Sequence, residues 1–335
     1  MLKRQIYFFV AILLLVLAGC TGDASTTAPS KKPTATTPKK EIKIPKINRD
    51  SAYVFIKKQV DFGPRVPNTK IHTQTKDWLV GKFESFGADV IEQKFRVKSF
   101  QNKTLDATNI IAQYNVDNPK RVVLAAHWDT RHKAEQDKDE KKKEQPILGA
   151  DDGASGVGVL LEIARQIQAN GIDLGVDIVL FDAEDQGENG GAETTWCLGS
   201  QHWSRVPHKP GYDAKWGILL DMVGAKNARF TKDETSMKHA SKIMNKVWKI
   251  AKARGYGNYF VDELTGPLID DHKFVNEIAG IPMIDIINRP QRSRTGFGNY
   301  WHTHDDDMDV INKSTLRAVG QTVLAAIYQE AAGTF

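Results

Sequence analysis

The chain has only two cysteines, Cys20 and Cys197, in 335 residues. A disulfide framework and a zinc site built from thiolates both need more sulfur than that, so neither is expected. There is no G-x-S-x-G elbow, no Gly-rich phosphate loop and no dinucleotide-binding fingerprint, so none of those chemistries competes for the sites described below. The sequence shows no internal repeat. It also lacks a basic folded body, although its net charge is +5. Residues 21–46 hold six lysines against Asp23 and Glu41, and Lys3 and Arg4 add two more charges, leaving residues 47–335 at −1. The excess charge belongs to the N-terminal end, and no nucleic-acid surface is expected.

The first twenty residues read "MLKRQIYFFVAILLLVLAGC". Lys3 and Arg4, an apolar run from Ile6 to Leu17 and then Ala18-Gly19 form an export signal over residues 1–19. The run is shorter than the ~20 residues of a spanning helix. Cys20 after Leu17-Ala18-Gly19 resembles the lipobox of bacterial lipoproteins. That implies a lipidated Cys20, attachment to a membrane and a place in the bacterial cell envelope, facing the periplasm or the outside. Lipidation leaves Cys197 without a disulfide partner. Residues 20–46, rich in Thr, Pro, Ala and Lys without apolar periodicity, are read as a disordered tether. Residues 47–335 form one domain, with a monomer as the default state.

Within that body the periodicity predicts helices over 49–62 and 69–86, then strands in "ADVIEQKFRVKSF" and "ATNIIAQYN". Four continuous apolar runs follow: "RVVLAAHWDT", "VDIVLFDAED", "WGILLDMVG" and "IPMIDIIN". Such runs suit strands buried on both faces. Helical stretches at 154–170, 236–254, 271–279 and 313–332 alternate with them. The expected fold is a three-layer α/β domain with a largely parallel sheet, made mixed by the first two strands. Residues 132–145, "HKAEQDKDEKKKEQ", have no apolar face and are read as a solvated loop.

The chemistry gathers at the strand ends, where α/β sheets place their sites. The first run ends in His127-Trp128-Asp129, and "GADDG" (149–153) opens the next helix. The second ends in Asp182-Ala183-Glu184-Asp185 and the third in Asp221. Asp270-Asp271-His272 opens a helix before the fourth run, and His302 follows it. One acidic residue at such a place is usually a helix cap. Several, with two histidines, would repel one another unless a cation neutralised them. Mixed carboxylate and imidazole ligands favour zinc, and a set of three leaves the open position that catalysis needs. Asp129 is expected to orient His127, His272 to lie behind the site, His304 to be exposed and Cys197 to be unreactive.

With "HWD", "GADDGASG", "DAED", "LDMVGAKNARF", "IDDHKFV" and "FGNYWHTHDD" in that order, the chain resembles the M28 zinc-peptidase superfamily over nearly all of the body. Within it, the last three stretches resemble the bacterial glutaminyl-peptide cyclotransferases. The resemblance implies a zinc-aminopeptidase-like (phosphorylase/hydrolase-like) fold and an acyltransferase that turns N-terminal Gln of peptides or proteins into pyroglutamate. It implies one zinc held by Asp152, Asp185 and His302, with a strained or cis peptide after Asp152. Glu184 would be the general acid/base, Asp221 and Asp270 would hydrogen-bond around it, and Trp301, Phe297 and Trp196 would form the pocket. The family commonly has Glu-Glu where this chain has Glu184-Asp185, so the second ligand reaches about 1.5 Å less far. The competing reading is a two-zinc M28 aminopeptidase, with a second ion at His127, Asp152 and Asp221.

Overall fold

A computed structural model describes residues 43–335. The signal, Cys20 and most of the tether lie outside the described residues. The body takes in the end of the tether segment: Ile44 packs on the core, and the Pro45 carbonyl accepts from Gln321 Nε2 at 2.9 Å. No helix among the described residues is long and apolar enough to cross a membrane.

The first two strands, β1 (Asp89–Lys98), with Phe95 its one buried residue, and β2 (Thr104–Tyr114), which alternates from Thr104 to Ala107 and is then buried from Asn109 to Ala112, pair antiparallel at one edge of the sheet. The apolar runs become β3 (Arg121–His127), β4 (Gly175–Phe181), β5 (Gly217–Asp221) and β8 (Met283–Ile287), buried at every position. Together they form one six-stranded sheet of order β1-β2-β4-β3-β5-β8. The last four run parallel, and the mixed sheet is as the sequence predicts.

Burial on both faces follows from the period of two along each strand. Val122, Leu124 and Ala126 face a core built with α1 (Arg49–Phe62), α3 (Ala154–Asn170) and α7 (Lys313–Ala331). Val123 and Ala125 face a second, smaller core that includes Trp203 of α4 (Leu198–Arg205). Two packed faces make the three layers. Helix α2 (Lys70–Ser85) adds Leu79 and Phe83 to the larger core. The 271–279 stretch divides into α6 (Asp271–Phe274) and a π-helical turn (Val275–Ala279).

Three features escape the sequence reading. Helix α4 is one. Another is a separate two-stranded parallel sheet, β6 (Phe230–Asp233) and β7 (Phe260–Thr265), bracketing α5 (Glu234–Ala253). The third is residues 132–145, which are not merely a solvated loop. Ala134 is fully buried, and Glu135 and Asp137 turn inward to histidines of the loop after β8.

Candidate metal and active site

His127, Asp152, Glu184, Asp185, Asp221, Asp270 and His302 converge at the carboxyl edge of β3, β4, β5 and β8, whereas Asp182 is taken up by His72, 2.9 Å from its Oδ1, and by the Thr108 N–H. Asp152, Asp185 and His302 present ligand atoms within 4.8 Å of one another, and all three side chains are buried. His302 Nε2 lies 3.0 Å from Asp185 Oδ1 and 3.7 Å from Asp152 Oδ2. Asp185 therefore reaches the cluster despite its shorter side chain. Oδ2 of both aspartates is buried without a hydrogen-bond partner among the described residues. Buried acceptors of this kind are costly unless a cation meets them. Two carboxylates and an imidazole converging on one point fit a zinc ion and leave room for a fourth ligand.

The supports of this triad come from distant parts of the chain. Glu135 Oε1 lies 3.1 Å from His302 Nδ1, which fixes the ring so that Nε2 faces the aspartates. Arg131 Nη2 donates to Glu135 at 2.6 Å, and its Nη1 donates to the carbonyls of Asp185 and Gly187 at 3.0 and 2.7 Å. Asp306 accepts from the backbone N–H of Asp151 (2.8 Å) and Asp152 (3.1 Å), so the second aspartate of the "HDDD" run is a clamp on the ligand turn. Asp129 does the same for the other turn, accepting from Glu184 N at 3.0 Å and Asp185 N at 3.3 Å. Its 3.5 Å approach to His127 Nδ1 is the weaker contact, so the expected role of orienting His127 gives way to holding the Glu184-Asp185 backbone. Glu135→Ala should weaken zinc binding about 10- to 100-fold by analogy with other outer partners of metal-bound histidines. Competition with a chelating dye measures this, and unchanged affinity would remove Glu135 from the site.

The backbone is held away from its easy conformations here. Ala183, Cys197, Met222 and His302 all have φ between 45° and 55°. Left-handed non-glycine residues are uncommon, and their clustering beside Glu184, Asp221 and the metal triad marks a site maintained at a cost in strain. The peptide after Asp152 is not cis, since no described peptide bond is. The unusual geometry sits instead at Gly153, whose φ of 93° suits a residue without Cβ.

Glu184 lines a cavity of about 420 Å³ with the triad, Trp196, Phe297, Trp301, Asp221 and Asp270. Three roomier clefts, of about 610, 630 and 880 Å³, contain none of the metal-ligating clusters found among the described residues, so chemistry rather than volume marks the site. Burial pushes the Glu184 carboxyl well above its ordinary range; His127 opposes this, while Asp185, Asp270 and Asp271 add repulsion. Glu184 Oε1 accepts a hydrogen bond from Cys197 Sγ at 3.2 Å. Burial, with Glu184 beside it, drives that thiol far up, so Cys197 is a donor to the carboxylate and not a nucleophile.

Asp221 and Asp270 do not hydrogen-bond to Glu184. Asp270 shares a cluster with Glu184 and Cys197 and acts on it by charge, while its own Oδ1 accepts from Asp271 N at 2.6 Å. Asp221 instead faces His127, 3.3 Å from Nε2; burial, with Asp270 and Asp152 nearby, lifts it to about 8. His272 is buried on α6, 3.3 Å from Asp233. His304 is not free at the surface: Asp137 accepts from its backbone N–H at 3.1 Å and lies 2.8 Å from its Nδ1. Trp196 belongs to the pocket, its ring 6.1 Å from that of His302 and backed by the Arg131 guanidinium at 4.6 Å.

Residues 109–327 match Peptidase family M28. A glutaminyl cyclase of Bacteroides thetaiotaomicron, solved bound to N-acetylhistamine, is 52% identical with a TM-score of 0.83, covering 85% of this chain and 99% of that one. A leucine aminopeptidase precursor from Bacteroides thetaiotaomicron VPI-5482 is 51% identical with a TM-score of 0.83, covering 86% and 99%. The glutaminyl-peptide cyclotransferase of Dictyostelium discoideum is 26% identical over 298 residues, 75% of this chain and 77% of that protein. Sequence, fold and ligand geometry agree: the chain belongs to peptidase family M28 and stands in it beside the bacterial glutaminyl cyclases.

Proposed function

We infer that the protein is a zinc-dependent glutaminyl-peptide cyclotransferase, converting N-terminal Gln of peptides or proteins to pyroglutamate with release of ammonia. The observation that carries this reading is Glu184, a half-buried carboxylate beside a three-ligand metal cluster, in a cavity whose wall is Trp301, Phe297 and Trp196. Asp152, Asp185 and His302 would hold one zinc ion, which when bound supplies polarisation of the substrate's γ-carbonyl.

The chain's own residues account for the rest. The aromatic wall folds the Gln side chain back on its amine and excludes water, holding the two reacting groups in near-attack geometry. Glu184 accepts a proton from the α-amine as the nitrogen attacks the γ-carboxamide carbon, then returns it to the departing –NH₂. A C–N bond forms, another breaks, and ammonia leaves with no water consumed. Asp270 keeps the Glu184 carboxyl basic by repulsion, and Cys197 steadies it.

A second reading has its own support. His127 Nε2 is 3.0 Å from Asp152 Oδ1, and His127, Asp152 and Asp221 form another possible ligand set within 4.8 Å. Filled by a second zinc, that set would suit a two-metal aminopeptidase. The deciding experiment is mass spectrometry of a Gln-initiated peptide after incubation, with zinc per chain counted on the same sample. Loss of ammonia with about one zinc supports the cyclase; release of free amino acid with about two supports the aminopeptidase.

The lipobox-like end of the signal supports a lipid anchor on Cys20 and a bacterial envelope location, with the body a monomer on its tether. Cys20→Ser should move the protein from the membrane fraction to the soluble fraction of the producing cells. A variant still sedimenting with membranes would count against the anchor.

A further inference from the structure

We propose that Arg289 reads a carboxylate of the substrate one or two residues beyond its N-terminal Gln; this rests on the cyclase reading above. Arg289 follows β8 and lines the same cavity as Glu184 and the metal triad. Its guanidinium lies over the Phe297 ring at 4.9 Å, Phe297 meets Trp301 at 4.8 Å, and Trp301 stacks on His302 at 3.6 Å. The arginine thus stands at the far end of the aromatic wall from the metal ligand. An extended peptide advances about 3.3–3.6 Å per residue, so a second or third side chain reaches that far.

The seat is built for the group. Gly296, with φ 88°, leaves no side chain in the way; a Cβ there would lie 3.1 Å from Arg289 Nη2. Yet the guanidinium makes no hydrogen bond or ion pair among the described residues, although Arg289 is half-buried. The buried arginines behave otherwise. Arg65 donates to the carbonyls of Trp128, Leu148 and Gly149; Arg121 pairs with Asp177; Arg131 pairs with Glu135. A planar, sheltered fork of five donors left unspent is suited to a carboxylate from outside. The other charged side chains of the lining, apart from His302, are acids: Asp152, Glu184, Asp185, Glu193, Asp221 and Asp270. Besides His302, Arg289 is the one side chain of the lining that carries positive charge, so away from the metal ligands it is where this cavity meets a substrate carboxylate with attraction. Its source is an acidic side chain or, in a very short peptide, the chain's own C-terminus.

The test compares kcat/KM of the zinc-loaded enzyme on Gln-Glu-Ala-amide, Gln-Gln-Ala-amide and Gln-Lys-Ala-amide, on Gln-Ala-Glu-amide and Gln-Ala-Gln-amide, and on Gln-Ala with free or amidated C-terminus. The wild type should favour Glu over its neutral isostere Gln at the second or third position, or the free over the amidated dipeptide, by about 3- to 10-fold, as a partly sheltered pair gives. The preferred peptide identifies the source. The preference should appear in KM, shrink in high salt, vanish in Arg289→Gln and survive in part in Arg289→Lys. Turnover of the neutral peptide should persist in Arg289→Gln, which checks that Phe297 keeps its place. Equal rates on all peptides, or a preference undiminished in Arg289→Gln, would overturn the proposal alone. Absence of pyroglutamate from every peptide would overturn the cyclase reading and this proposal with it.

Discussion

Glu184→Gln should lower kcat about 10²- to 10⁴-fold while zinc per chain stays at its wild-type value, a barrier increase of about 3–5 kcal/mol. The substitution keeps the size and hydrogen-bonding shape of the side chain, so Cys197 and the wall around it have no reason to move. What it removes is the proton acceptor. The same assignment fixes a pH effect. The base works deprotonated, and burial raises its folded pKa, so kcat/KM should fall with decreasing pH at values above the ordinary Glu pKa of about 4.3. Asp185, Asp270 and Asp271 push in the same direction. A steady-state profile from acid to neutral pH measures the limb. Full activity of Glu184→Gln, or a limb at the pKa of an ordinary carboxyl, would give the proton to some other group.

His302→Ala should cost both the zinc and the activity. Without the imidazole, Asp152 and Asp185 face each other with only the ion between them. Burial and Asp152 already lift Asp185 to about 6, although His302 opposes it. His302 is itself raised to about 9: burial works against its charge, and the Asp185 and Glu135 carboxylates outweigh burial. A bound dication reverses those preferences, so the wild-type fold is stabilised by zinc and its melting temperature should rise with free zinc concentration. The variant should show neither the bound zinc nor the rise. The measurement pairs elemental analysis with a thermal melt at two zinc concentrations. Retention of one tightly bound zinc by His302→Ala would place the metal elsewhere, with His127, Asp152 and Asp221 the next set to examine.

The contrast between these two residues and their supports shows where a linear reading stops. Glu184 and His302 sit in short, distinctive stretches at strand ends, where residue type alone betrays them. Glu135 sits in a run of lysines and acids that reads as solvated, and only a fold that carries residue 135 across 167 positions to His302 gives it a task. Asp306 lies in a row of three aspartates that look alike. Asp305 is exposed, Asp307 caps a short 3-10 turn, and Asp306 alone is buried as the clamp on Asp151 and Asp152. Asp221 has the right type and place for a neighbour of Glu184, but β5 delivers it to His127.

Elements show the same limit. β6 and β7 have four and six residues and alternate weakly, and α4 begins after a left-handed Cys197 that no pattern announces.

By itself, the sequence determined the parallel core of the sheet, because unbroken apolar runs can be buried only with helices on both faces. It also determined the residue types at the strand ends, because carboxylates and imidazoles are not tolerated together there without a cation. Tertiary structure alone decided which carboxylate binds, which clamps and which tunes, and that Arg289 is left with its donors unspent. Those roles depend on a few ångströms between residues from tens to more than a hundred and fifty positions apart, and side-chain chemistry is the same whichever neighbour the fold supplies.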